Sequence, residues 1–118
     1  MKTIIAGSRD ITDFTLVSQV IDASKFDITG VVCGEARGVD ALGKRWANNR
    51  SIPVYSFPAD WRQYGKAAGP MRNREMAAVA SALIVIRYPD SRGSADMLRQ
   101  AKHYGLRVHD HIVSKDAT

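Results

Sequence analysis

The chain holds one cysteine, Cys33, so no disulfide can form within it. That suits a reducing compartment. It also lacks any apolar run near the roughly 20 residues that a membrane-spanning helix needs. The first such run, Ile4-Ile5-Ala6, is too short even for a signal peptide. These absences lead us to expect a cytoplasmic protein with no membrane partner. Carboxylates are few: 12 Asp and Glu face 17 Lys and Arg, a net charge of +5. The imbalance is local. From Arg37 to Arg74 there are eight bases and two acids, whereas the first 31 residues hold three bases and four acids. A local positive field attracts phosphates, either of a small ligand or of a nucleic-acid backbone.

Several chemistries lack their motifs. There is no G-x-S-x-G elbow for a serine hydrolase. The dinucleotide pattern G-x-G-x-x-G and the Walker pattern G-x-x-x-x-G-K-[ST] are both missing. Of three histidines, His109 and His111 share one face of a strand, but two ligands do not make a zinc site. No metal and no cofactor are expected. Cys33 falls within an apolar run and reads as a small core residue.

What remains is the composition of an ordinary globular protein, 118 residues with 45% hydrophobic side chains. That length supports one domain with a core of its own. We place the domain at residues 1–113 and expect residues 114–118 to be a frayed tail. No repeat or low-complexity tract divides it.

Short apolar runs alternate with amphipathic stretches. Thr3–Ala6, Gly30–Cys33, Pro53–Phe57, Leu83–Ile86 and Arg107–Ile112 read as strands. Helices are expected at Asp13–Ser24 with Thr12 as cap, from about Val39 to Asn49, from Pro70 to about Ala80, and at Ser94–Tyr104 with Gly105 ending it. Pro58–Ala68 reads as an irregular loop. The order βαβαβαβαβ implies a single Rossmann-like α/β three-layer sandwich. Its sheet has five parallel strands in the order 3-2-1-4-5. Ligands of such folds bind where the strand order reverses, outside the carboxyl ends of the strands.

The residues after each strand are accordingly the candidates. Gly7-Ser8-Arg9 follows the first, with a close-approach glycine, a hydroxyl and a guanidinium for phosphate. Gly34-Glu35-Ala36-Arg37-Gly38-Val39-Asp40 follows the second and runs into a helix start, which favours anions. There, Asp40 either complements the helix dipole, holds a ligand hydroxyl or orients Arg37. After the third come Asp60-Trp61-Arg62, Tyr64, Lys66 and Arg72-Asn73. Trp61 is as well suited to cap the core edge as to stack on a base. Arg72 and Asn73 sit in an expected first helical turn, where a cation opposes the dipole and so asks for a reason. Arg92-Gly93-Ser94 and Asp96 follow the fourth, with Ser94 the expected cap.

Together, Gly7-Ser8-Arg9, the run from Val32 to Asp40, Phe57–Trp61, Gly65–Met76 and Arg92–Met97 resemble the YspA-like family of the SLOG superfamily. That superfamily includes the Smf/DprA proteins and the LOG phosphoribohydrolases. The resemblance runs from about Lys2 to Val108. It implies a Rossmann-like domain that binds nucleotides or nucleotide derivatives of the ADP-ribose type, often in phage or conflict systems, and a homo-oligomer. The matching binding positions are Gly7, Ser8, Arg9, Gly34, Arg37, Gly38, Asp40, Arg72, Asn73, Gly93, Ser94 and Asp96. LOG enzymes use an R-x-x-x-M helix start, which Arg72 and Met76 match. They also use P-G-G-x-G-T-x-x-E, which is eroded here: Met97 stands at the glutamate position. Asp96 is one residue early, about 100° round a helix. The reading is therefore a module that senses or sequesters a nucleotide-derived ligand. Its rivals are a hydrolase of an N-glycosidic or phosphate bond, with Arg72, Asp96, Asp40 or Glu35 as catalytic candidates, and a single-stranded DNA binder.

Overall fold

The structure, a computed structural model, describes residues 1–115. Its elements are β1 (Lys2–Gly7), α1 (Phe14–Ala23), β2 (Gly30–Cys33), α2 (Val39–Asn49), β3 (Val54–Ser56), α3 (Trp61–Tyr64), a 3-10 turn at Gly65–Ala67, α4 (Ala68–Val79), β4 (Ala82–Arg87), α5 (Arg92–His103) and β5 (Arg107–Ile112). The five strands form one sheet in the order β3-β2-β1-β4-β5. Every pairing is parallel, and Ile4 at the centre lies opposite Val32 on one side and Leu83 on the other.

Side chains alternate across a strand, so neighbouring residues feed opposite cores. Ile5, Val31, Ile84 and Ile86 pack with Val17, Val20, Ile21 and Trp46 of α1 and α2. Ile4, Ala6, Val32, Leu83 and Val85 pack with Met76, Ala77, Met97 and Ala101 of α4 and α5. The sheet is therefore covered on both faces, which is why β1, β2 and β4 are apolar almost throughout. Among the described residues, no helix is long and apolar enough to cross a membrane.

Some boundaries differ from the sequence reading. Asp13, not Thr12, caps α1, because its extended backbone lets Oδ1 accept from the Leu16 N–H at 3.2 Å. The stretch expected as a loop after β3 contains α3, where Asp60 accepts from the Gln63 N–H at 3.1 Å. The 3-10 turn then runs straight into α4, which starts at Ala68 rather than Pro70. Pro70 still fits, since the first N–H groups of a helix have no intrahelical acceptor. Ser91, in extended conformation, precedes α5, so Ser94 is its third residue and not its cap. Gly105 ends the last helix at φ +74°, as left-handed C-termini require. Of the tail, Lys115 pairs with Asp90 at 2.9 Å, and residues 116–118 lie outside the described residues.

Candidate ligand-binding site

The strand order reverses between β1 and β4, and a cleft of about 640 Å³ opens there beyond their carboxyl ends. That size is ordinary for a small-molecule site. Ser8 builds its floor. The Ser8 N–H donates to the Ile86 carbonyl at 3.1 Å, the Ser8 carbonyl accepts from the Val39 N–H at 3.3 Å, and the Ser8 hydroxyl accepts from the Tyr88 N–H at 2.9 Å. One buried residue thus ties the β1 loop to the β4 loop and to the start of α2. Gly7 allows this closeness, since a Cβ there would sit 1.9 Å from the Ile86 carbonyl oxygen.

Asp40, in the first turn of α2, is buried at 5% exposure. Its Oδ2 accepts from the Ala36 N–H at 3.3 Å, and the carboxylate also takes a hydrogen bond from the Gly7 backbone. It therefore pins the loops after β1 and β2 to each other. Burial raises its pKa, and the nearby positive charge of Arg72 opposes that rise. Burial in turn lowers the pKa of Arg72, against the attraction of Asp40. Each charge is tolerable because the other is present.

Arg72 is the centre of a polar chain. Its Nη1 donates to the Gly34 carbonyl in a very short contact, and its Nε donates to Asn73 Oδ1 at 3.0 Å. Asn73 Nδ2 then donates to Asp96 Oδ2 at 2.9 Å, and Asp96 Oδ1 pairs with Arg99 at 3.2 Å. The chain runs from the end of β2 through α4 to α5. It also gives a reason for the position of Arg72. As the fifth residue of α4, it lies a turn beyond the helix start where the sequence reading put it, and it serves as a tie to β2.

The first turn of α5 forms the opposite wall. No side chain caps it, because the Ser91 hydroxyl donates to Ser94 Oγ at 2.8 Å instead. The first amides of a helix have no intrahelical acceptor and carry the positive end of its dipole. Gly93 leaves them uncovered, since a Cβ there would meet nothing within 4 Å. Six basic side chains and four carboxylates line the cleft. Among the described residues, Arg9, Lys66 and Arg92 form no ion pair.

Of the residues expected at the site, Gly7, Ser8, Arg9, Asp40, Trp61, Arg72, Asn73, Arg92, Gly93, Ser94 and Asp96 line this cleft. Gly34, Glu35 and Arg37 line an adjoining hollow of about 360 Å³, which shares Arg9, Ala36, Trp61 and Arg72 with it. Gly38 and Asp60 line neither. Gly38 has φ +75° and passes beneath the Ser8 and Arg9 carbonyls, where a Cβ would lie 2.4 Å from the Ser8 oxygen. Asp60 is the α3 cap. Trp61 is 48% exposed, with Arg9 over its ring at 5.7 Å and its edge against Gly69. Lys66, Tyr88, Ser91 and Lys115 also line the cleft. Lys115 comes from beyond β5, and only the folded topology reveals its proximity. Cys33 is buried, and burial pushes its thiol up to about 11, which keeps it protonated and unreactive. Among the described residues, no three His, Cys, Asp or Glu side chains gather as a metal site would require.

An open parallel sheet in this order, with polar loops at its switch point, defines the Rossmann-like α/β class. Within that class, the chain belongs to the YspA, cpYpsA-related SLOG family, whose model matches residues 1–64. It is 32% identical over 118 aligned positions to the Gene 61 protein of Mycobacterium phage D29, covering 91% of this chain and 93% of that protein. Its fold also matches DNA processing protein A (DprA) from Streptococcus pneumoniae, with a TM-score of 0.78 and 19% identity over 98% of this chain. That likeness is one of fold, and this chain spans about half (52%) of the DprA chain.

Proposed function

We propose that this protein binds a nucleotide-derived ligand, such as an ADP-ribose-type molecule, and senses or sequesters it without cleaving it. One observation carries the reading. The uncapped first turn of α5 and the Arg72 guanidinium both line one cleft at the switch point of the sheet. Free amides and a guanidinium are what a phosphate needs, and Arg9, Lys66 and Arg92, which form no ion pair among the described residues, add charge. The SLOG family membership and the phage relative support the same direction, including a role in phage or host conflict.

Capture is favoured over hydrolysis because Met97 stands at the glutamate position of the LOG pattern, and the two aspartates that act on Arg72 are engaged. Asp96 is held by Asn73 and Arg99, and Asp40 by backbone amides. Both line the cleft, and these bonds commit them to holding its walls together, whereas a general acid or base must reach the reacting atom. The test is incubation with labelled ADP-ribose, followed by denaturation and mass spectrometry. Stoichiometric recovery of intact ligand supports capture. Many equivalents of free base or phosphate per protein overturn it.

A second reading, single-stranded nucleic acid, draws on α3. Trp61 and Tyr64 are exposed there beside Arg62 and Lys66, an arrangement suited to base stacking with backbone neutralisation. The name of DNA processing protein A, the fold match, points the same way. Oligonucleotide affinity falling steeply with salt, with no ADP-ribose binding, would favour this reading over the first.

A further inference from the structure

The adjoining hollow between the β2 and β3 loops has features that a simple phosphate cleft does not require. Glu35 stands at its rim with φ +60°, in the left-handed region that glutamate rarely enters. Its carboxylate is fixed from two directions. Ser56 of β3 donates to Oε1 at 2.5 Å, and Lys44 of α2 donates to Oε1 and Oε2 at 3.1 and 3.2 Å. The Ser56 hydrogen bond is the main cause of its lowered pKa, with Lys44 acting in the same direction. The result is an ionised acceptor in a fixed place, and Oε2 retains a free lone pair. A strained backbone held by its neighbours at the edge of a cavity is a reasonable marker of function.

The two spaces are not independent. Arg9, Trp61 and Arg72 line both. An anionic group at that shared wall would have room for organic matter on either side. We propose that the hollow is a second subsite, which takes the diol-bearing second sugar of a two-headed nucleotide whose phosphates lie against Arg9 and Arg72. Glu35 accepts from the sugar hydroxyls. Its position just beyond β2 suits this, since a carboxylate in that region of a doubly wound sheet can reach a ribose diol. The inference rests on the nucleotide reading of the main cleft and adds to it the place of the second sugar and the residue that selects for it.

ADP and ADP-ribose make a minimal pair for the test. They share a base, a sugar and a pyrophosphate, and ADP-ribose adds the second ribose. ADP carries more negative charge, so electrostatics alone favours ADP. Both are titrated calorimetrically into the parent protein, Glu35→Gly and Gly93→Val. We expect ADP-ribose to bind the parent at least tenfold more tightly than ADP. In Glu35→Gly that ratio falls towards one. Glycine suits φ +60°, so this variant should fold, and a thermal melt checks that it does. Gly93→Val, which obstructs the main cleft, should weaken both ligands and preserve the ratio. Equal affinity of the parent for both ligands, or a ratio that survives in Glu35→Gly, overturns the second subsite and leaves the nucleotide reading standing. If neither ligand binds the parent, both fail.

Discussion

The side-chain amide of Asn73 donates to Oδ2 of Asp96 over 2.9 Å, and this bond joins the two helices that wall the cleft. Asn73 is nearly buried and also accepts from Arg72. Its amide therefore fixes at once where Arg72 points and how far α4 stands from α5. A ligand that bridges Arg72 and the first turn of α5 would meet a gap already set by this pair.

Loss of the Asp96 acceptor should show in stability before it shows in chemistry. Asp96→Ala leaves the buried Asn73 amide unpaired, a cost of about 1–3 kcal/mol. The Arg99 arm matters less, since Arg99 is 70% exposed and surface pairs contribute about 0–1 kcal/mol. Urea denaturation of Asp96→Ala and Arg99→Ala should thus give a clear loss for the first and almost none for the second. Equal midpoints for Asp96→Ala and the parent would mean that the bridge does not hold the helices.

Arg72 combines two roles that different substitutions separate. Arg72→Ala removes the bonds to the Gly34 carbonyl and Asn73 and the positive charge that opposes the rise in the Asp40 pKa, so it should destabilise the fold. Arg72→Lys keeps the charge but not the planar fork that reaches both the Gly34 carbonyl and Asn73. We expect Arg72→Lys to lose no more than about 1.5–3 kcal/mol of stability, on the scale of a hydrogen bond from a charged donor. Its affinity for ADP-ribose should fall at least roughly tenfold, as loss of one charge-assisted bond implies. Calorimetric titration with unchanged affinity in the lysine variant would remove Arg72 from the phosphate site.

Gly93 allows binding and folding to move in opposite directions. It is the second residue of α5, and a Cβ there meets open space. Gly93→Ala should therefore raise stability by about 0.5–1 kcal/mol, the helical cost of glycine. The added methyl would stand beside the amides offered to phosphate, so affinity should drop. A variant that is more stable and binds ADP-ribose as well as the parent would show that the ligand does not approach this turn.

Much of this arrangement was legible because it is local. The strand at Gly30–Cys33 and the one at Arg107–Ile112 are bounded by the residues that the apolar pattern marks, and Gly105 ends α5 for a reason confined to its own backbone. The α3 helix was not legible, since none of its side chains is buried and it leaves no apolar periodicity to read. Arg72 and Asn73 stood out from their place in a helix start, and Gly34 and Asp96 as candidates in their own loops, but nothing in the sequence showed that they pair. The same is true of Ser56 and Lys44 around Glu35, which the sequence marks as a candidate without showing what holds it. Strand order places loops at one edge, whereas the division of that edge into a cleft and a hollow depends on side-chain reach.

Asp40 gives the fold a particular dependence on pH. Burial raises its pKa in the folded protein, against about 3.9 for an unhindered aspartate. Between those two values the folded state holds the proton more often than the unfolded state. Stability from this group is therefore full below about pH 4 and is lost as pH rises through the folded pKa. Glu35 acts in the opposite sense, because its pKa is lowered and its contribution is lost as pH falls through the folded value. The sum hides both, so the comparison must be with a variant. Asp40→Asn cannot ionise, and it loses an acceptor for the amides of Gly7 and Ala36, so it should be less stable than the parent throughout. The gap should be widest near pH 4, where Asp40 is most favourable to the fold, and should narrow towards pH 7. Urea midpoints measured at half-unit steps across that range test this. A gap that stays constant, or widens as pH rises, would show that Asp40 is not held above its ordinary pKa.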